Sequence, residues 1–262
     1  MHPLETLLSF FPTGTTEGER HVLRRAFVQL DDFVDFIAPP PHSPRLLVGK
    51  KGSGKSALIE FSTQLLSRAS VPHLVLKPMD IDYGAFGEHA AVGELTRAAY
   101  TALLQAVAAQ IGASKGGLIS DADKLLYDQA IEAGLRSPDK IERLANILPK
   151  LAKPYTSVDL SVLLPGQTQA SRNALEGAIK RNLEQSETGF FLFIDDTDQI
   201  AAPERAGHLN RIWAFLLAAR ELASRTAELR CVVSLREEVW RRLTNDRAGQ
   251  RDQTDHFSAL VR

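Results

Sequence analysis

Apolar residues recur along this chain with two different periods. Short, nearly continuous runs at 46–48, 74–77, 190–194 and 229–233 are bounded by glycine, proline or charged residues and read as strands. The run Phe190-Phe191-Leu192-Phe193-Ile194 is apolar throughout, as expected for a strand covered on both faces of a parallel sheet. Between the runs the spacing becomes helical. Leu58, Phe61, Leu65 and Leu66 share one face of a helix ending near Arg68, and an alanine- and leucine-rich helix is predicted over 88–111 with Gly112 as its stop. Ser120-Asp121-Ala122-Asp123 reads as a capped helix start, with Gly134 as the end. Ser137-Pro138 opens a further helix, and 155–167 reads as a loop. Helical patterns then run through Leu175, Ala178, Ile179 and Leu183, from about Pro203 with Leu209, Ile212, Trp213, Leu216 and Leu217 inward, and over 237–243. Ahead of the first strand, 20–37 has helical spacing, and Pro39-Pro40-Pro41 delivers an extended chain into it.

Alternating strands and helices predict an α/β domain with a mainly parallel sheet, whose ligands bind beyond the carboxyl ends of the strands. The expected organisation is a helical lead-in at 1–43, a core at 44–84 and 168–262, and a helical insertion at 85–167. The run 257–262 reads as a fifth strand beside 46–48. Because the sequence stops there, the expectation is a site without a helical lid, more open to water on that side.

Composition narrows the class. With 44% hydrophobic and 24% charged residues, the 262-residue chain is of ordinary globular make-up. A formal net charge of −1 excludes nucleic-acid binding through bulk charge, though not through a local patch. The single cysteine, Cys231, lies in an apolar run, so it reads as a buried hydrophobe and fits a reducing cytoplasm. No apolar stretch is long enough to span a bilayer, so no membrane partner is expected. His73 stands alone, without metal-ligand spacing.

Candidate chemistry gathers at the predicted strand ends. The first strand leads into Gly49, Lys50, Lys51, Gly52, Ser53, Gly54, Lys55 and Ser56, followed by a helix. This is the pattern G-x-x-x-x-G-K-[ST] in strand–loop–helix context. Its glycines let the backbone approach phosphate oxygens closely, and the loop N–H groups with the helix N-terminus favour the anion. Lys55 would add charge at the β/γ-phosphates, and Ser56 would hold Mg²⁺. The third run ends in Asp195-Asp196-Thr197-Asp198, where Asp195 would hold the metal and Asp196 would orient or deprotonate water. Asp196 and Asp198 as simple helix caps is the competing reading. Ser234-Leu235-Arg236 closes the fourth run. Ser234 would bond that water or the γ-phosphate; Arg236 would neutralise γ-phosphate charge or form a plain salt bridge.

The combination G-K-K-G-S-G-K-S, F-F-L-F-I-D-D-T-D and V-V-S-L-R resembles the ASCE division of P-loop ATPases. I-D-D-T-D is similar to the acidic motif of KAP-type ATPases, and S-L-R to the arginine-bearing sensor of STAND proteins such as the NACHT ATPases. The resemblance spans 44–77 and 190–243. It implies a three-layer sandwich with sheet order 5-1-4-3-2 and a Mg-dependent ATP-driven switch assembling with itself or with an effector protein; many bacterial relatives serve in phage defence. Many members place Glu where Asp196 stands, which implies slow turnover here. From Arg205 onward every lysine-or-arginine position is arginine, interspersed with carboxylates. It reads as a salt-bridged face or, in the sharper reading, as a surface for DNA or a second subunit. A DNA-loading ring ATPase, a small-molecule kinase and a nucleotide-binding subunit without useful hydrolysis are the competing functions.

Overall fold

The computed structural model describes residues 39–77, 90–114, 120–135, 169–200 and 207–245. Among these residues four strands, β1 (Arg45–Gly49), β2 (His73–Leu76), β3 (Phe190–Ile194) and β4 (Leu229–Arg236), form one sheet in the order β1-β4-β3-β2. Every neighbouring pair is parallel. The strand read at 190–194 thus lies between β2 and β4, as expected. The proposed lead-in helix at 20–37, the helix after Ser137, the loop at 155–167 and the fifth strand at 257–262 lie outside the described residues.

Six helices accompany the strands among the described residues: α1 (Lys55–Arg68), α2 (Val92–Ser114), α3 (Asp121–Glu132), α4 (Gln169–Glu184), α5 (His208–Arg225) and α6 (Glu237–Asn245). The two-residue alternation of strand side chains divides the sheet into two covered faces. On one, Leu47, Phe193 and Val232 pack with Ile59, Leu58 and Leu66 of α1. On the other, Leu46, Phe190, Leu192, Ile194, Cys231, Val233 and Leu235 belong to a much larger core with α2, α4 and α5. Burial of each such Leu or Phe side chain contributes about 1.5–3 kcal/mol. Trp213 is 1% exposed, a core residue as its place on the apolar stripe predicts.

Several boundaries depart from the sequence reading: α2 begins at Val92 rather than at 88, and β2 spans His73–Leu76 rather than 74–77. Gly112 does not end α2, which continues to Ser114. It lies buried against α3, where an added Cβ would stand 1.9 Å from the Leu126 carbonyl oxygen, so this glycine serves close helix packing rather than a stop. Helix α5 begins at His208 instead of near Pro203, after Gly207 takes a left-handed conformation (φ 75°). Strand β4 runs on through Ser234, Leu235 and Arg236, because these residues keep pairing with Leu47, Val48 and Gly49. The capped start of α3 is present: the Asp123 N–H donates to Ser120 Oγ at 3.2 Å, and Ser120 Oγ donates to Asp123 Oδ2 at 2.8 Å.

Candidate phosphate loop and acidic turn

Strand β1 ends at Gly49 and α1 begins at Lys55, so the connection is a tight loop at the carboxyl end of the sheet. Gly52 (φ 79°) and Gly54 (φ 89°) take left-handed backbone conformations that cost a residue with a Cβ. At Gly49 a Cβ would meet Ser53 Oγ at 2.6 Å, a contact that rotation of the exposed hydroxyl would relieve. Gly54 occupies the cap position of α1 without a side-chain bond, and no acidic residue stands in the first turn. The positive end of this helix is therefore not offset by a carboxylate of its own first turn. Lys55 folds back over the loop, its Nζ donating to the Gly49 carbonyl at 2.9 Å and the Lys50 carbonyl at 3.0 Å. Lys50, Lys51, Gly52, Ser53 and Gly54 are exposed, and Ser56 is half-buried.

A short 3-10 turn, Thr197–Gln199, follows β3 and carries the acidic cluster. Asp195 is buried at 5% exposure, and its N–H donates to the Leu76 carbonyl at 2.9 Å. Ser234 Oγ donates to Asp195 Oδ1 at 2.5 Å and accepts the Asp196 N–H at 3.1 Å. One hydroxyl thereby uses its proton on the first aspartate and a lone pair on the second. Asp196 adopts a left-handed conformation (φ 54°, ψ 34°), and its side chain makes no capping bond to the turn. Its carboxylate instead lies 3.6 Å from Lys77 Nζ. Desolvation, then the negative charge of Asp195, raises the Asp196 pKa above the ordinary carboxyl value; Lys77 opposes the rise and Asp198 adds to it. Asp198 accepts from Arg236 Nε at 2.7 Å, with the Asp198 side chain only 8% exposed. Thr197 is fully buried, and its Oγ1 has no hydrogen-bond partner among the described residues.

Strand register gathers these pieces. Gly49 stands opposite Arg236, Leu47 opposite Ser234, and Ile194 lies between Leu76 and Val233. The loop, the acidic turn, the tip of β4 and Lys77 consequently share one end of the sheet. Asp195, Asp196 and Ser234 form a single hydrogen-bonded network, and Arg236 reaches the same turn through Asp198. Of the two readings for the aspartates, capping does not describe their side chains: Asp196 faces Lys77, and Asp198 faces Arg236. Lys77 is the residue sequence reasoning missed. Its signal was positional: it is the first residue after β2, at the carboxyl end where the other site residues were sought.

The residues fit a magnesium-bound nucleotide in kind. Among the described residues no three His, Cys, Asp or Glu side chains gather into a metal cage. Mg²⁺ held with a nucleotide needs none, because one or two protein oxygens, phosphate oxygens and water complete its shell. Ser56 and Asp195 would supply the protein oxygens, and the unoffset start of α1 with Lys55 suits the phosphates. Comparison of the chain with protein-family models, curated proteins and solved structures returned no match. The fold and site define an α/β protein with a parallel sheet and a glycine-rich strand–helix loop beside an acidic turn.

Proposed function

We propose that this chain binds ATP with Mg²⁺, hydrolyses it slowly, and uses the cycle as a switch controlling assembly with copies of itself or with an effector protein. The observation that carries the reading is the 49–56 loop, a G-x-x-x-x-G-K-S sequence whose two left-handed glycines lead into a helix without a first-turn acid. In this reading Lys55 charges the β/γ-phosphate site, Ser56 and Asp195 hold the metal, and Asp196 orients or deprotonates the attacking water. Bound Mg²⁺ would neutralise developing phosphate charge. Ser234 keeps both aspartates in place. The DNA-binding alternative gains less support: Arg225, Arg236 and Arg241 of the arginine-rich third pair with carboxylates, and Arg211 is buried.

Calorimetry of Mg-ATP binding tests the reading. The wild-type chain should bind, and Lys55→Ala should lose about tenfold to a hundredfold in affinity while keeping its circular dichroism, because a charge-assisted contact is removed from a loop that packs no core. Unchanged affinity in a folded Lys55→Ala protein removes the phosphate-loop assignment.

A further inference from the structure

We infer that Arg236 is a positioning residue that acts through the acidic turn, locking it by its pair with Asp198, rather than a contact to the terminal phosphate. The turnover consequence rests on the nucleotide reading above; the lock itself does not.

Ser234 and Arg236 are two residues apart on β4, so their side chains leave the same face of the strand. Both go to the same target. Ser234 ties Asp195 and the Asp196 N–H, and Arg236 takes Asp198, two residues further along the turn. The tip of β4 therefore grips both ends of the sequence Asp195-Asp196-Thr197-Asp198. Between the two grips stands Asp196 in a left-handed conformation, uncommon for a residue with a Cβ though most accessible to Asp and Asn, and the grips on either side hold it there. The charges point the same way. Asp198 is nearly buried, and withdrawing Arg236 to a phosphate would leave that carboxylate without its 2.7 Å partner in a poorly solvated place. Arg236 is itself only 31% exposed and already aimed at the turn. Release of the pair would loosen the backbone that aims Asp196, so the arginine matters to turnover without touching the nucleotide.

The experiment uses the full chain with Asp198→Asn, Arg236→Gln, the double variant and Arg236→Lys; Asp198→Asn is near-isosteric, Arg236→Gln shortens a partly exposed side chain, and melting curves verify that each variant folds. Without nucleotide, amide hydrogen exchange is followed at residues 196–200. Each single variant should speed exchange there by about tenfold, the double no more than either, and Arg236→Lys should restore most of the protection. With nucleotide, both single variants should keep ATP and ADP affinities within about twofold while kcat falls by up to about a hundredfold, again without further loss in the double. Unchanged exchange in Arg236→Gln overturns the lock. So does a loss of ATP over ADP preference confined to the arginine variants, which would make Arg236 a γ-phosphate contact. Should the wild-type chain bind neither nucleotide, the proposed function fails, and the exchange measurements still decide the lock.

Discussion

Thr197 buries a hydroxyl that finds no partner among the described residues, directly between Asp196, whose N–H donates to Ser234, and Asp198, which pairs with Arg236. An unsatisfied buried hydroxyl costs about 1–3 kcal/mol, and replacing it with a methyl group of similar shape removes the cost. Thr197→Val should therefore raise stability by about 1 kcal/mol, read as a higher urea midpoint at unchanged slope. A lower midpoint would mean that water or a ligand engages the hydroxyl. Asp196 presents the opposite bargain. Its folded-state pKa is raised, so the ionised form is disfavoured by folding, and its left-handed backbone suits Asn at least as well as Asp. Asp196→Asn should melt higher at neutral pH. That gain should fade as pH falls through the raised pKa, where the protonated carboxyl becomes as neutral as the amide. Hydrolysis should drop by about a hundredfold or more, because the amide cannot act as a base. A lower melting temperature at neutral pH would contradict the electrostatic argument, and retained single-turnover hydrolysis would contradict the catalytic one. At this scale the sequence was legible where a residue type has few uses, as in Gly52 and Gly54 with their left-handed backbone. It was less legible where one type serves several ends. Only the geometry shows that Asp196 faces Lys77, and that the Ser234 hydroxyl is occupied by the aspartates.

Glycines of α2 and α4 separate two roles that a sequence cannot tell apart. Gly112 meets the Leu126 backbone so closely that no side chain fits, whereas an added Cβ at Gly177 in α4 has nothing within 4 Å. Gly112→Ala should force α2 and α3 apart and cost about 1–3 kcal/mol or more. Gly177→Ala should stabilise by about 0.5–1 kcal/mol through helix propensity alone. Chemical denaturation of the two variants checks both signs, and equal effects would refute the packing argument. The same ambiguity explains why Gly112 reads as a helix stop: a glycine after an apolar helical run is a common C-terminal signal. Here α2 continues past it because α3 crosses at that point. Helix α2 also shows what periodicity leaves out. Buried positions run through 102–109 without a polar face, the composition of a helix enclosed on all sides, and it lies in the main core with strands β3 and β4. Its place in chain order, between two strands, suggests an insertion. Its side chains nevertheless join the main core, where it packs chiefly against α3 and α5. Strand runs, by contrast, were legible almost to the residue, since a parallel strand covered on both faces leaves little room for polar residues.

The four described strands place every candidate residue at one end of the sheet, and the order of β1, β4, β3 and β2 brings the tip of β4 between the glycine-rich loop and the acidic turn. This juxtaposition is long-range. Strand pairing joins residues some 190 positions apart, so local patterns located the pieces, and the resemblance to P-loop ATPases supplied their expected order. The end of the sheet that carries the site is wet on the loop side, where Lys50, Lys51, Gly52, Ser53 and Gly54 are exposed. Charges acting through water are weak, and donors free to move must reorganise as phosphate charge develops. Asp196 also reaches less far than a glutamate would. On the proposed ATPase reading, hydrolysis in the isolated chain should therefore run well below about 1 per second, slower than an ordinary enzyme. A second copy or an effector covering the loop would exclude water and strengthen the same contacts. Turnover per chain should then rise with protein concentration, in step with particle mass measured in Mg-ATP, while mass in ADP stays at that of the single chain. Light scattering and phosphate release on the same samples make the comparison. Fast turnover independent of concentration, in a particle that remains monomeric, would show that the site is complete within one chain and that assembly is not what the nucleotide controls.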